Sequence, residues 1–329
     1  MDVRSSPRWF AGLLVVALVM ALALSLVSVH LRLVNSGLGC ADWPDCYGRI
    51  GAAVDTTRVA PGETADAPAS LATRAHRAIA SALGLVILVI VAAALTRHTP
   101  PTGRLAPTLL LMVMVGLAVL GKWSAGLHRP GVVMANFTGG IALAALLWWL
   151  LLASGRGQSQ PRARRAAVHR WASAALLLVA AQIVLGGLVS AYFAGLACGP
   201  SPTCAGNWMP SVPWHTLTGL FDVLEIDTGG RVVGGHALTG LHMAHRLLGV
   251  LAAVVVALLA WRLRQEGRAA MAVALLALVV IEAVLGLASV HLKLDRGVVL
   301  AHYALALALL LALLTLVAPA GARRAAHRS

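Results

Sequence analysis

Long apolar segments alternate with short polar loops along this chain. Eight of the segments reach the ~20 residues that an α-helix needs to cross a bilayer. They lie at about residues 9–30, 73–96, 106–124, 132–154, 168–193, 239–262, 268–290 and 297–318. The pattern predicts an all-α integral membrane protein with eight transmembrane helices. Composition agrees, because 59% of the 329 residues are hydrophobic and only 12% are charged.

Charged residues are distributed unequally between the loops on the two sides of the predicted membrane. Arginines fill the loops on one side, where Asp2 and Glu266 are the only acids, and the other acidic loop residues lie opposite. Under the positive-inside rule both termini face the cytoplasm, and the two long loops at 31–72 and 194–238 are extracytoplasmic. This asymmetry explains the net charge of +14. We therefore expect membrane lipid as a partner and no nucleic acid. The first segment lacks an obvious cleavage site and is predicted to be retained.

Three sequence patterns occur twice in the same order. Gly-Leu-x-Cys, five residues, Cys, x, Gly is found at 37–48 and again at 195–206. A His-Arg step opens the second and the sixth apolar segments. A Gly-Val-Val segment opens the fourth and the eighth. The matching pairs are His76-Arg77 with His245-Arg246, and residues 131–136 with residues 297–302.

The repeats predict that helices 1–4 and 5–8 are two copies of one four-helix unit. An even number of helices in each copy gives both the same orientation, so the copies are parallel repeats. The predicted fold is two tandem four-helix bundles: an N-terminal half at 1–154, a basic cytoplasmic linker at 155–167 and a C-terminal half at 168–329.

All four cysteines fall in the two long outer loops, and the members of each pair are six positions apart. On the oxidising side of the membrane, local disulfides Cys40–Cys46 and Cys198–Cys204 are the simplest interpretation. Each bridge could pin a small cap over its helices. It could also be redox-active, because a short exposed disulfide loop is often strained and reducible.

Two histidines in the second half are candidates for axial ligands of a haem iron. His245 is predicted about 9 Å along the sixth helix, counted from Thr239 at 1.5 Å per residue. His302 falls at nearly the same depth of the eighth helix, counted from the same face. Two imidazoles at one depth can clamp a haem iron, and Arg246 could bind a propionate. The alternative is that both are interfacial histidines bonded to neighbouring backbone.

The first half offers only one strong iron ligand. His76, with Arg77 beside it, matches His245, but Asn136 stands at the position of His302. Asparagine is a poor ligand for iron, so a weakly held haem there suits a substrate better than a permanent cofactor.

Glu282 is the only acid inside a predicted span. Intramembrane carboxylates are usually functional, as proton donors or charge partners. Its counterpart in the third segment is about Leu117, so the acid is not part of the repeat. Proton handling and a paired structural role both stay open.

Taken together, the Arg-Leu-x-x-Ser-Gly-Leu-x-Cys run at 32–40, the Trp-Pro-x-Cys-x-Gly continuation, the two His-Arg steps and His302 resemble the haem A synthase family. This is a cytochrome oxidase assembly family of bacterial and mitochondrial inner membranes. The resemblance implies oxidation of the C8 methyl of haem O to a formyl, giving haem A. It also implies haem b on His245 and His302, with substrate haem O at His76 and the position of Asn136. Implied partners are haem O synthase, terminal oxidase assembly proteins and an electron donor, in a bacterial cytoplasmic membrane.

Two positions depart from the family pattern. The family usually has a histidine where this chain has Asn136, and a glutamate where it has Thr73. The catalytic residues are therefore unknown, with Glu282 as a candidate in the other half. The alternative function is a non-catalytic haem-binding or handover protein in oxidase assembly. A quinol-linked carrier with two bis-histidine haems is disfavoured by Asn136, and a transporter by the lack of a marked ion path.

Overall fold

Eight α-helices make up most of the part of the chain that the structure describes. The computed structural model describes residues 8–35, 47–48, 71–96, 103–121, 129–154, 162–200, 203–204, 206–208, 224–228, 231–233 and 235–318. The helices are α1 (Arg8–Asn35), α2 (Leu71–Thr96), α3 (Leu105–Leu120), α4 (Pro130–Ser154), α5 (Arg162–Ala191), α6 (Gly235–Gln265), α7 (Ala269–His291) and α8 (Arg296–Val317).

Seven of these helices are long and apolar enough to cross a membrane, which confirms a multi-pass membrane protein. The exception is α3, where a span was predicted at 106–124. Its 16 residues extend about 24 Å at 1.5 Å per residue.

Two helices begin earlier than their apolar segments predicted. α5 starts at Arg162 rather than at 168, so part of the predicted linker 155–167 is helical. Arginine and alanine dominate those first residues, and both are good helix formers, which explains why the helix outlasts the apolar stretch. α6 starts at Gly235, four residues before Thr239.

Helices α1 to α4 contact one another in a closed ring. α1 packs on α2, α2 on α3, α3 on α4, and α4 back on α1, whereas α2 and α4 share no contact among the described residues. The centre is filled by fully buried side chains such as Phe10, Leu14, Ile87 and Leu147. α2 and α4 are therefore diagonally opposite.

Helices α5 to α8 form a second ring of the same kind. α5 contacts α6 and α8, α7 contacts α6 and α8, and no contact joins α6 to α8 in the described part of the chain. Val256, Leu259, Leu275 and Leu313 are fully buried in its centre. α6 and α8, which carry His245 and His302, thus face each other across this ring.

The two rings meet through α4 and α8, with α4 also on α5 and α8 also on α1. Phe137 of α4 packs against Tyr303 of α8, with ring centroids 5.6 Å apart. Arg32 at the end of α1 donates to the carbonyl of Ser190 on α5 at 2.9 Å. In both contacts the two residues hold equivalent positions of the sequence repeat.

The outer loops of the two halves also touch. The Tyr47 ring lies 5.7 Å from the Phe193 ring, and the Val232 N–H donates to the Gly48 carbonyl at 2.9 Å. Burial raises the pKa of Tyr47 to about 12, so its hydroxyl stays protonated at neutral pH.

Candidate functional site

His302 lies on α8 with one edge of its imidazole against α7. Its Nδ1 is 3.0 Å from Glu282 Oε1, and the two side chains are 28% and 15% exposed. One turn after Glu282, Gly286 leaves room for the ring. A methyl group there would come within 3.2 Å of His302 Cε1. The packing of α7 on α8 at this glycine therefore determines where the His302 ring lies.

His245 is held in a similar way by α5. A Cβ at Gly186 would come within 2.9 Å of His245 Cε1, closer than carbon atoms approach without a shift. Four residues earlier, Gln182 Nε2 lies 3.4 Å from His245 Nε2 and donates to the His245 carbonyl at 3.0 Å. Each histidine thus has a glycine under its ring and a polar residue one turn before that glycine.

These residues fit a haem iron. His245 and His302 project from diagonal helices and are close enough to interact electrostatically. Among the described residues, the buried atoms His245 Nδ1, Gln182 Oε1 and Glu282 Oε2 have no hydrogen-bond partner. Such atoms are costly unless something binds them. Two imidazoles can fill the two positions of a haem iron that the four porphyrin nitrogens leave open.

The early start of α6 changes the depth argument. His245 lies ten residues after Gly235, which is about 15 Å along the helix rather than 9 Å, whereas His302 lies six residues after Arg296, about 9 Å. Equal depth therefore does not follow from the helix starts. The closeness of the two imidazoles follows instead from how α6 and α8 are staggered.

A disulfide loop covers the first turns of α6. Cys198 and Cys204 are bonded, as predicted, and pack with Met243 in one buried cluster. Cys198 Sγ lies 3.3 Å from the Thr239 carbonyl oxygen. The Arg246 guanidinium donates to the Gly199 carbonyl of this loop. Arg246 was predicted to bind a propionate, and in the structure it holds the loop. The predicted Cys40–Cys46 bridge lies outside the described residues.

His242, one turn before His245, is buried at 4% exposure. Its ring contacts the Ala194 backbone, at the turn that follows α5. It therefore belongs to the cap beneath the disulfide loop.

In the first half, His76 is half-buried on α2 and Asn136 is half-buried on the diagonal helix α4. Thr73 lies one turn before His76, and Arg77 is exposed. Leu117 of α3 occupies the space beside Gly139, where a Cβ would meet it at 2.8 Å. No carboxylate of α1 to α4 joins this set among the described residues, and Glu282 lies in the other ring.

The supporting residues of the two histidines were missed or only weakly marked in the sequence. Gln182 is marked in the sequence only as an uncharged polar residue in the fifth apolar segment, and Gly186 and Gly286 carry no mark of their own. A signal was present: residues 182–186 and 282–286 both read polar, x, Val, Leu, Gly. That pattern could have identified the two helices that support the imidazoles.

Known proteins with similar sequences identify the family of this chain. The COX15-CtaA family of cytochrome oxidase assembly proteins matches residues 11–314. A heme A synthase of Shewanella oneidensis is 31% identical over 318 residues, which is 92% of this chain and 94% of that protein. A heme A synthase of Paracoccus denitrificans is 29% identical over 327 residues, covering 90% and 84%. One of Rhizorhabdus wittichii is 28% identical over 247 residues, covering 73% and 68%. The chain therefore belongs to the haem A synthase family of cytochrome oxidase assembly proteins, which is a family of oxidoreductase enzymes.

Proposed function

We propose that this protein oxidises the C8 methyl of haem O to a formyl group and so makes haem A for a terminal oxidase. Converting a methyl to a formyl is a four-electron oxidation that adds one oxygen and removes two hydrogens, through a hydroxymethyl stage and loss of water from a geminal diol. An external oxidant must accept the electrons. The observation that carries the proposal is the pair His245 and His302, on diagonal helices and each over a glycine of a neighbouring helix.

In the C-terminal half, His245 and His302 would hold a haem b by its two axial positions. When bound, this group supplies one-electron transfer, because a bis-imidazole iron has no open position for oxygen. The contacts of the two rings with Gly186 and Gly286 restrict where each imidazole can lie. Arg246 would serve a propionate only by sharing its donors with the Gly199 carbonyl, which it already binds.

In the N-terminal half, we propose that His76 and Arg77 receive the substrate haem O. Asn136 on the diagonal helix can hydrogen-bond but ligates iron poorly, so the substrate is held on one side and released readily. Thr73, one turn from His76, has a hydroxyl but no carboxylate. The ring of α1 to α4 would orient the C8 methyl edge, which is the part that the protein contributes to this chemistry.

The finer architecture is part of the same proposal. Two tandem parallel bundles at 1–154 and 168–329 are supported by contacts between equivalent residues of the repeat, Phe137 with Tyr303 and Arg32 with Ser190. The arginine-rich loops support a location in a bacterial cytoplasmic membrane, with both termini in the cytoplasm and the cysteine loops outside. Haem O synthase, oxidase assembly proteins and an electron donor are the proposed partners.

A second candidate function, haem binding and handover without oxidation, is favoured by Asn136 and Thr73. Haem extraction from membranes that express the chain separates the two functions. Haem A or its hydroxymethyl precursor supports the enzyme, and unchanged haem O supports the handover protein.

The variant Asn136→His tests whether the missing ligand limits the site. We expect it to retain more substrate haem through purification than the wild type, because a second imidazole closes the iron's open face. Pigment analysis by chromatography measures both haem content and product. Equal retention in the two proteins would contradict a role of position 136 in holding the substrate.

A further inference from the structure

One carboxylate lies within the membrane-crossing length of α7, and it contacts a proposed iron ligand. Glu282 Oε1 is 3.0 Å from His302 Nδ1. An acid at this depth is expensive without a partner, and His302 is the partner that the structure gives it. This 3.0 Å approach is a close contact and not a formed hydrogen bond, because His302 Nδ1 has no hydrogen-bond partner among the described residues. Such contacts commonly tighten when the site is filled.

The two nitrogens of His302 face different surroundings. Gly286 lies beside Cε1, the carbon between the nitrogens, at 3.2 Å from an ideal Cβ. With Nδ1 beside Glu282, Nε2 is the nitrogen left for iron. A carboxylate that accepts the Nδ1 proton determines the tautomer, and ligating histidines in proteins are commonly held in this way.

The other half of the molecule provides an internal comparison. Residues 117–121 read Leu-Ala-Val-Leu-Gly and residues 282–286 read Glu-Ala-Val-Leu-Gly. Leu117 therefore matches Glu282, and Asn136 matches His302. The half that lacks the histidine also lacks the acid. This joint absence is expected if the carboxylate serves as the partner of the imidazole. A general structural role of Glu282 would not explain why the acid and the histidine are absent together.

We infer that Glu282 is a positioning residue for His302: it accepts the Nδ1 proton, orients the ring with Nε2 toward the iron and makes the ligand more basic. This inference rests on the proposed haem site of the C-terminal half. A more basic ligand favours ferric over ferrous iron, so Glu282 would lower the reduction potential of that haem. Nε2 of His245 faces the neutral amide of Gln182 rather than a carboxylate, so the two histidine ligands would be electronically unequal.

The test uses the purified holoprotein and three variants. Glu282→Leu introduces the residue that the N-terminal half has at the equivalent position, Leu117. Glu282→Gln keeps an oxygen acceptor but removes the negative charge. Ile281→Ala is the matched control, because Ile281 is the preceding residue on α7 and its side chain is 47% exposed on the lipid side. Redox titration gives the midpoint potential, and electron paramagnetic resonance gives the ligand field of the ferric iron.

We expect Glu282→Leu to lower haem retention by about 10- to 100-fold, as is typical for the loss of such a partner. The midpoint potential should rise, by about 59 mV for each tenfold loss of ferric-over-ferrous preference. Glu282→Gln should shift it less in the same direction, and Ile281→Ala should not shift it. If both Glu282 variants match the control in potential and resonance spectrum, the inference is wrong.

Two further results keep the inference separate from the proposed function. A wild type that purifies without a bis-imidazole spectrum would overturn both. A coloured wild type that loses its spectrum in His302→Asn, with unshifted Glu282 variants, would overturn the inference alone.

Should Glu282→Leu fail to accumulate, the pairing can be measured without haem. His302→Asn leaves the Glu282 carboxylate without its imidazole partner and should destabilise the apoprotein. Adding Glu282→Leu removes this unpaired carboxylate and should restore thermal stability. A double variant no more stable than His302→Asn would contradict the pairing.

Discussion

At the scale of single residues, each proposed ligand depends on a neighbour that has no side chain. Gly186 and Gly286 lie on the helices between α6 and α8, and each leaves the space that an imidazole ring occupies. Because cores are close-packed, one added carbon at such a position must move the ring or the helix. The precision of the site therefore resides partly in residues that cannot bind haem themselves.

The variant Gly186→Ala tests this dependence. Its Cβ would lie 2.9 Å from His245 Cε1, so the ring must rotate away from its present position. We expect loss or weakening of the bis-imidazole spectrum, measured by the absorbance of the purified protein. The control is Gly116→Ala on α3, where nothing lies within 4 Å of the new carbon. There the spectrum should be unchanged and helix stability slightly improved, by up to about 1 kcal/mol. If the Gly186→Ala protein keeps the native spectrum, the position of the His245 ring does not depend on the space at Gly186.

At the scale of elements, the first turns of α6 are held by a cap that the disulfide loop forms. The Cys198–Cys204 loop contacts the Thr239 carbonyl, and Arg246 binds back to Gly199. These contacts involve α6 from Thr239 to Arg246, the residue that follows His245. The loop therefore restrains the helix segment that carries the proposed ligand.

Replacing both cysteines, Cys198→Ser with Cys204→Ser, should lower stability by about 2 kcal/mol, the loop-closure contribution of a short disulfide ring. Thermal denaturation of the detergent-purified protein measures it. If the disulfide only restrains the cap, product formation in membranes falls no further than haem retention does. A complete loss of product with full haem retention would instead indicate a redox role.

At the scale of the whole molecule, the two rings are joined by polar contacts as well as by apolar packing. The Arg32 guanidinium of α1 crosses to α5, where it donates to the carbonyl and hydroxyl of Ser190. It also lies over the Phe193 ring, 5.3 Å from the centroid. A planar guanidinium can make these contacts together, and an ammonium cannot.

Arg32→Lys should therefore lower the free energy of unfolding by about 1–3 kcal/mol, the usual cost of unsatisfied buried acceptors. Ser190→Ala is the matched control. It removes the hydroxyl acceptor but keeps the carbonyl, so its effect should be about 1 kcal/mol or less. Thermal denaturation of both variants and of the wild type shows which substitution destabilises the protein more. Equal effects would show that the carbonyl contact at 2.9 Å contributes little.

The sequence alone was sufficient for the membrane class, the positions of the helices and the identity of the candidate histidines. Each of these depends on local properties. Length and apolarity specify a span, and the order of repeated motifs specifies which residues correspond. Helix starts were less accurate, at Arg162 and at Gly235. At Arg162 the reason is that arginine and alanine are good helix formers and extend the helix beyond its apolar part.

The tertiary structure decided how these residues meet. That α6 and α8 are diagonal, that Glu282 contacts His302, and that Arg246 is engaged by the disulfide loop all follow from helix packing and stagger. Two residues on different helices meet only when the rotation of each helix and the distance between axes are both fixed. Those quantities depend on how residues such as Gly286 fit against a neighbouring helix, and no local pattern along one helix contains them.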